Sequence, residues 1–379
     1  MDIDPILKAL SAALHGEGPA VEIVTDADGR PSAVPVETGV EEAAVVVRTS
    51  GSTGTPKATV LTVDALAASS VGTAITLRAE GQWLLALPLQ YVAGVQVLVR
   101  SLYAGTRPWV MDLSSGFTPE AFTAAAQELT DKVRFTSLVP TQLQRLLDSP
   151  APEALAALRR FNAILLGGAP ASAELLATAH SEGLKVVTTY GSAETCGGCV
   201  YDGEPLDGVQ VRIGAGELEG RILLGGETVA AGYLDGGSPA KDVFFEEDGV
   251  RWYVTGDLGE LSDDGKLTVL GRADDVIITG GVKASAAYIQ SKLEELDGVT
   301  AAFVAGVPSR EWGQAVAAYV AMEDPTPAGI KGFTGRRESA LGVLSPKTVL
   351  VEKKLLMLPN GKPDRMAMTE QLNRLHQGQ

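Results

Sequence analysis

From residue 43 to about residue 190, short apolar runs alternate with segments whose apolar residues recur every three or four positions. Runs at 43–47, 83–87, 109–112, 135–139, 163–166 and 185–189 predict strands, and 63–77, 119–129, 140–147 and 172–182 predict helices between them. Such alternation predicts mostly parallel α/β sheets with helices on their faces. After Gly203 the pattern changes to short strands and glycine-rich turns, at 209–213, 220–224, 251–255 and 266–269. That predicts a small antiparallel β region. A boundary falls at 271–275, so the expectation is a large N-terminal domain, 1–271, and a smaller α+β C-terminal domain, 272–379. The second domain opens with an amphipathic helix at 285–296, with Ile289, Leu293 and Leu296 on one stripe. Strands at 300–307, 315–322 and 348–351 follow, with a helix around 330–341 and a glycine turn at Gly361.

A chain of 379 residues exceeds one ordinary core, in keeping with two domains. Its 45% hydrophobic and 21% charged residues are those of a globular protein. A formal charge of −16 argues against nucleic acid or an anionic membrane as partner, while locally gathered basic groups can still bind small anions. The first residues, Met1-Asp2-Ile3-Asp4-Pro5, lack a basic region and apolar core, so no secretory signal is expected. No apolar run reaches the roughly 18 residues of a spanning helix, and the expected location is cytoplasmic. Cys196 and Cys199 spell C-x-x-C, yet zinc would need two further ligands. The only histidines, His15, His180 and His376, lie outside metal-ligand spacing, so Cys196–Cys199 reads as a tight turn.

The run Val46-Val47-Arg48-Thr49-Ser50-Gly51-Ser52-Thr53-Gly54-Thr55-Pro56-Lys57 describes an anion-binding loop. A buried strand enters residues that are only Ser, Thr or Gly, closed by Pro56 and Lys57. Glycines let the backbone approach a ligand with successive N–H groups inward, and hydroxyls and an ammonium add donors. It is not a Walker A loop, because Pro56 precedes Lys57 and Ala58 follows it.

Further motifs follow in order: Tyr190-Gly191-Ser192-Ala193-Glu194, Tyr253 to Gly259, Gly271-Arg272-Ala273-Asp274-Asp275, and Pro359 to Arg365. With the opening loop, this series resembles the adenylate-forming superfamily of acyl-CoA synthetases, luciferases and peptide-synthetase adenylation domains, from about Val45 to Arg365. The resemblance implies an enzyme that uses ATP, Mg2+ and, in its acyl-CoA branch, coenzyme A, with a mobile C-terminal domain. It implies that Thr49, Ser50, Gly51, Ser52, Thr53, Gly54 and Lys57 hold the β- and γ-phosphates. The same resemblance implies that Tyr190, at the strand end with Gly191, stacks on adenine, with the Gly167-Gly168-Ala169 backbone as the other wall. By the same resemblance Glu194 would be the metal carboxylate, Asp257 would accept from the ribose hydroxyls and Arg272 would reach ribose or phosphate. Asp274 is the hinge between half-reactions. Lys362 bridges the attacking carboxylate and the α-phosphate, offsetting charge at the reacting phosphorus. The superfamily usually places Thr or Ser at position 193 to donate to the α-phosphate, where this chain has Ala193. Losing one such donor costs about 2.7–4 kcal/mol of transition-state stabilisation. Either Ser192 or Thr195 takes over, or adenylation is slower.

Within the superfamily, Ser137 to Leu147, Leu87-Pro88-Leu89 with Ala93-Gly94, and Thr195 to Gly203 are similar to the o-succinylbenzoate–CoA ligase family of menaquinone biosynthesis, in its short actinobacterial form. That resemblance implies a benzoate substrate with a succinyl chain whose aliphatic carboxylate is activated. Tyr91, Thr141, Gln142 and Ser192 are the candidates for lining the acyl pocket, with helix cap or turn residue as the other reading of the last three. Gln90-Tyr91 stands where that family often has His-His, and 284–289 departs from its usual pattern, which reads as a surface helix start. The rival readings are another aryl- or acyl-CoA ligase, an adenylation enzyme that loads a carrier protein, and a nucleotide-binding module without turnover. A homodimer is compatible with all of them.

Overall fold

In the computed structural model, residues 2–26, 29–49, 57–234, 243–279, 282–323, 325–358 and 363–378 are described, with backbone alone at 274 and 283. The alternating region builds a seven-stranded sheet in the order Glu204–Pro205, Gly197–Tyr201, Val186–Ser192, Ala163–Leu166, Arg134–Leu138, Gln82–Leu85 and Trp109–Val110. The last five run parallel, and the first two are an antiparallel edge. Helices cover the parallel strands, so Gln82–Leu85 and Ala163–Leu166 are buried at every position, as unbroken apolar runs require. Phe122, Phe161, Ile164, Leu138 and Leu143 fill the core on one side. Helix Val92–Tyr103, unanticipated from sequence, is buried without a break from Gly94 to Ser101, with the polar Gln96, Arg100 and Ser101 buried among its apolar residues.

The strand expected at 43–47 runs Ala43–Thr49 and lies outside this sheet, in a mixed sheet where it pairs parallel with Ala20–Thr25. It pairs antiparallel with Lys57–Thr62, from Ala43↔Thr62 to Thr49↔Lys57. A parallel return needs a crossover of about a dozen residues or more, and the connection here is shorter. The mixed sheet they form has the order Gly232–Tyr233, Lys57–Thr62, Ala43–Thr49, Ala20–Thr25, Pro31–Val36. Thr62 then caps helix Val63–Leu77 by accepting from the Ala65 N–H.

The expected antiparallel region is a sheet in the order Val209–Ile213, Arg221–Gly226, Val250–Leu261, Phe244–Glu247, with Leu267–Arg272 also pairing on Val250–Leu261. The chain divides into two compact units: Met1–Arg212, Leu223–Thr255 and Leu261–Leu267 in the larger, and Ile213–Ile222, Gly256–Glu260 and Thr268–Gln379 in the smaller. Within the smaller, strands order as Val282–Ser285, Val276–Thr279, Gly313–Met322, Val299–Ser309, and Thr348–Glu352 runs parallel to Gly313–Met322. Alternate residues of the long strands face two cores. Ala302, Val304, Val316, Ala318 and Val320 pack with helix Ala286–Glu294, and Phe303, Val307, Ala317 and Tyr319 with helix Arg365–Gln377. Ser285 does begin a helix, accepting from Tyr288 N–H, but Ala284, Ala286 and Ile289 are buried rather than at the surface. Among the described residues, no helix is long and apolar enough to cross a membrane.

Candidate active site

The carboxyl ends of neighbouring parallel strands gather most residues singled out in the larger unit. Val186–Ser192 carries Tyr190, Gly191 and Ser192 at its end, Ala163–Leu166 leads into Gly167-Gly168-Ala169, and Arg134–Leu138 into the helix bearing Thr141 and Gln142. Gln82–Leu85 leads toward Gln90 and Tyr91, where Tyr91 begins helix Val92–Tyr103. Open α/β sheets bind ligands at this edge. Two glycines there answer to close approach: a Cβ on Gly191 would lie 2.1 Å from the Gly197 carbonyl oxygen, and one on Gly167 2.3 Å from Thr189 Oγ1. Gly168 has φ +80°, a conformation that disfavours a side chain.

A single tight helical turn, Ala193–Thr195, follows the Tyr190 strand and presents Glu194. Thr195 is fully buried; its hydroxyl accepts from Ser192 N–H at 3.0 Å and lies 2.8 Å from the Gly197 carbonyl. It therefore serves the turn. Ser192 Oγ is buried and has no hydrogen-bond partner among the described residues, and an orphaned hydroxyl of this kind carries a desolvation cost until a ligand pairs with it. Of the two stand-ins for the hydroxyl missing at Ala193, the geometry favours Ser192.

Glu194 is only 7% exposed, and one of its oxygens, Oε1, accepts from Tyr233 Oη at 2.7 Å. Lys57 Nζ lies 5.0 Å from the centroid of the Tyr233 ring. Burial, then the negative Glu194, push the Tyr233 phenol well above its ordinary range, so it stays a protonated donor. Thr49 and Lys57 are paired across the hairpin, while Ser50, Gly51, Ser52, Thr53 and Gly54 lie outside the described residues. Sequence reasoning missed Tyr233. Its only local signal is an aromatic after Gly232, in a two-residue strand too short to show periodicity.

In the smaller unit, Arg272 Nη1 stands 3.8 Å from Asp257 Oδ1, both partly exposed. A Cβ on Gly256 would sit 2.7–2.9 Å from the Arg272 guanidinium, so a side chain there would push that flexible group aside. Asp274 lies in the short helical turn Ala273–Asp275. Lys362 lies outside the described residues; Pro363, next to it, pairs with Met357, and Asp364 caps the final helix by accepting from Ala367 N–H.

Gln142 is buried with both ends of its amide engaged. Its oxygen accepts from Val139 N–H at 3.0 Å and its nitrogen donates to Ala86 O at 2.8 Å, stitching two strand-end loops together. This is the cap reading of that residue. Thr141 is exposed beside it. Gln142→Ala leaves Val139 N–H and Ala86 O without partners, and we expect a loss of about 1–3 kcal/mol in chemical denaturation.

The cysteines are not both in a turn, as the spacing predicted. Cys196 ends the Ala193–Thr195 turn at φ +53°, while Cys199 lies within the antiparallel strand Gly197–Tyr201. Both are fully buried free thiols. Burial pushes the Cys199 thiol up to about 12 and Cys196 still further. Unfolded thiols ionise near pH 8.5 and these do not, so unfolding releases protons above that pH. The thiols' contribution is complete below about pH 8.5 and falls by up to about 1.4 kcal/mol per pH unit per thiol toward pH 12. Denaturation from pH 8 to 10 should show this slope, a Cys196→Ala/Cys199→Ala double variant should reduce it, and native thiols should resist alkylation.

These features define an enzyme of the adenylate-forming kind, and comparison with known proteins agrees. Residues 5–234 match the AMP-binding enzyme family, and the chain belongs to that family. It is 40% identical over 371 residues to the probable 2-succinylbenzoate–CoA ligase of Mycobacterium tuberculosis (strain H37Rv), covering 96% of this chain and 94% of that one. It is 34% identical to the 2-succinylbenzoate–CoA ligase of Enterococcus faecalis, over 74% of this chain and 60% of that relative. Among solved structures it is similar to the o-succinylbenzoate CoA synthetase of Bacillus subtilis in complex with its acyl-adenylate intermediate. The TM-score is 0.73 at 28% identity, over 89% of this chain and 72% of that one. The same enzyme with ATP and magnesium also matches, again at TM-score 0.73 and 28% identity, over 90% of this chain and 73% of that one.

Proposed function

We propose that this chain is an AMP-forming acid–thiol ligase that converts 2-succinylbenzoate, ATP and coenzyme A into the acyl-CoA, AMP and pyrophosphate, a step of menaquinone biosynthesis. The observation that carries the reading is the meeting, in one unit, of Lys57, the buried Glu194 carboxylate and the strand end Tyr190–Ser192. Similarity to a probable 2-succinylbenzoate–CoA ligase over 96% of this chain supports the choice of acid.

Activation joins two anions, so the site must neutralise charge and align reactants. The loop closed by Thr49 and Lys57 takes the β- and γ-phosphates. Tyr190, Gly191 and the Gly168-Ala169 backbone take adenine, and Ser192 Oγ supplies the α-phosphate donor absent at Ala193. Mg2+ binds one or two carboxylates together with phosphate oxygens and water, and a single buried carboxylate, Glu194, fits that donor set. The ion offsets triphosphate charge when bound. Asp257 accepts from ribose hydroxyls, Arg272 donates beside it, and Asp274 is the hinge about which residues 272–379 reorient to bring Lys362 to the reacting phosphorus. Tyr91 and Thr141 border the acid.

Pyrophosphate release measured against a panel of carboxylic acids, with and without coenzyme A, tests the reading. Release should depend on 2-succinylbenzoate, with thioester formed only when coenzyme A is added. Preference for another acid would reassign the substrate, acyl transfer to a carrier protein alone would reassign the acceptor, and absence of release with any acid would sink the enzyme reading.

A further inference from the structure

Tyr233 belongs to no motif named above, yet it touches two groups that the proposed chemistry needs. Its position follows from strand register. Gly232–Tyr233 pairs with Lys57–Thr62 through Gly232↔Val60 and Tyr233↔Thr59, which puts Tyr233 and Lys57 on one face as diagonal neighbours. Flanking bonds hold the register, from Ala231 N–H to Val60 O at 3.0 Å and from Leu234 N–H to Ala58 O at 2.8 Å. One residue earlier, Ala230 N–H donates to the Glu194 carbonyl at 2.9 Å, tying the Glu194 turn to the same edge strand. The ring is fixed from outside by Phe244, edge-on at 5.4 Å between centroids. It cannot swing freely.

We propose that Tyr233 is a positioning residue for ATP activation. Its hydroxyl holds the Glu194 carboxylate in one orientation for the magnesium ion, and its ring face holds the Lys57 ammonium for the phosphates. Glu194 Oε1 takes the phenol, and Oε2 has no hydrogen bond among the described residues. A ligand carboxylate steadied by an outer hydrogen bond binds metal better, and losing such a partner costs about 10–100-fold in metal affinity. A cation above an aromatic face is held more strongly as it is desolvated, and Lys57 is partly buried. The two roles reside on different atoms, so they separate experimentally. The inference rests on the reading of Glu194 as the metal carboxylate.

The test is magnesium titration of ATP binding to the full chain, followed by calorimetry, with melting curves as a check on folding. Tyr233→Phe keeps the ring and removes the hydroxyl. It should raise the magnesium concentration for half-maximal enhancement of ATP binding by about 10-fold or more, leaving metal-free ATP affinity unchanged. Tyr233→Leu should in addition weaken metal-free ATP binding, because the Lys57 contact is lost. A Tyr233→Phe protein with the parent's magnesium titration would overturn the proposal. So would one that lost metal-free and metal-bound affinity equally, the mark of a merely structural role. If the parent chain itself bound ATP without any magnesium enhancement, the Glu194 reading would fall, and this inference with it.

Discussion

Lys362→Ala should lower the rate of acyl-adenylate formation about 10²–10³-fold, while thioester formation from supplied acyl-adenylate proceeds nearly unchanged. Attack of a carboxylate on the α-phosphorus brings two negative groups together, and a lone cation between them is worth most at the point of reaction. Removing one such donor from a site that excludes water typically costs about 2.7–4 kcal/mol of barrier, which is that range of rate. The second half-reaction displaces AMP with a thiol and has no need of the same charge. The measurement is single-turnover kinetics of each half-reaction separately. Equal loss in both would count against a role specific to adenylation, and no loss in either would remove Lys362 from catalysis. Arginine at this position should rescue poorly, since a planar fork does not replace a compact point charge.

The second large effect belongs to Glu194→Gln. The amide oxygen can still accept from Tyr233 Oη, so the 2.7 Å contact and the local fold should survive while the charge disappears. On the proposed role of Glu194, Mg2+ then loses its protein carboxylate. We expect the magnesium requirement to rise by about 100-fold, at the upper end of what the loss of an outer-shell partner alone costs. Pyrophosphate release as a function of magnesium concentration at saturating ATP reads this directly. An unchanged requirement would mean that the ion is held by phosphate oxygens and water alone. The pair of variants at Glu194 and Tyr233 is informative together: residues in contact do not add, so the double variant should cost little beyond Glu194→Gln.

Legibility in the sequence followed the physics of each element. Residues 163–166, 63–77 and 140–147 were read with the bounds they have in Ala163–Leu166, Val63–Leu77 and Pro140–Leu147. A buried parallel strand is an uninterrupted apolar run, and a helix with one wet face is periodic. Pro31–Val36 went unread because it is a mixed, half-exposed edge strand containing two prolines, which Pro31 and Pro35 can be only at an edge. Lys57–Thr62 went unread because it runs straight into helix Val63–Leu77, so no turn marks its end. The final helix, Arg365–Gln377, buries only Met368 and Leu372 and offers a weak stripe.

The candidate site shows the same division. Tyr190, Gly191, Glu194, Asp257, Arg272 and Lys57 were singled out from motifs whose order resembles the adenylate-forming superfamily, and their roles here are proposals. That Gln142 closes two loops and that Thr195 serves its own turn, leaving Ser192 with an orphaned hydroxyl, was not legible in the sequence. Each depends on a carbonyl or amide brought near by another segment.

The amino-acid sequence by itself determines the α/β character, the order of the motifs and the inventory of groups able to bind a nucleotide and activate an acid, because local periodicity and residue chemistry are written in neighbouring positions. Which of those groups meet was decided only by the tertiary structure. Tyr233 reaches Glu194 and Lys57 through an edge strand only two residues long, and the register of that strand is set by backbone hydrogen bonds between distant segments. Nothing in a run of side chains encodes such a register until the sheet itself has formed.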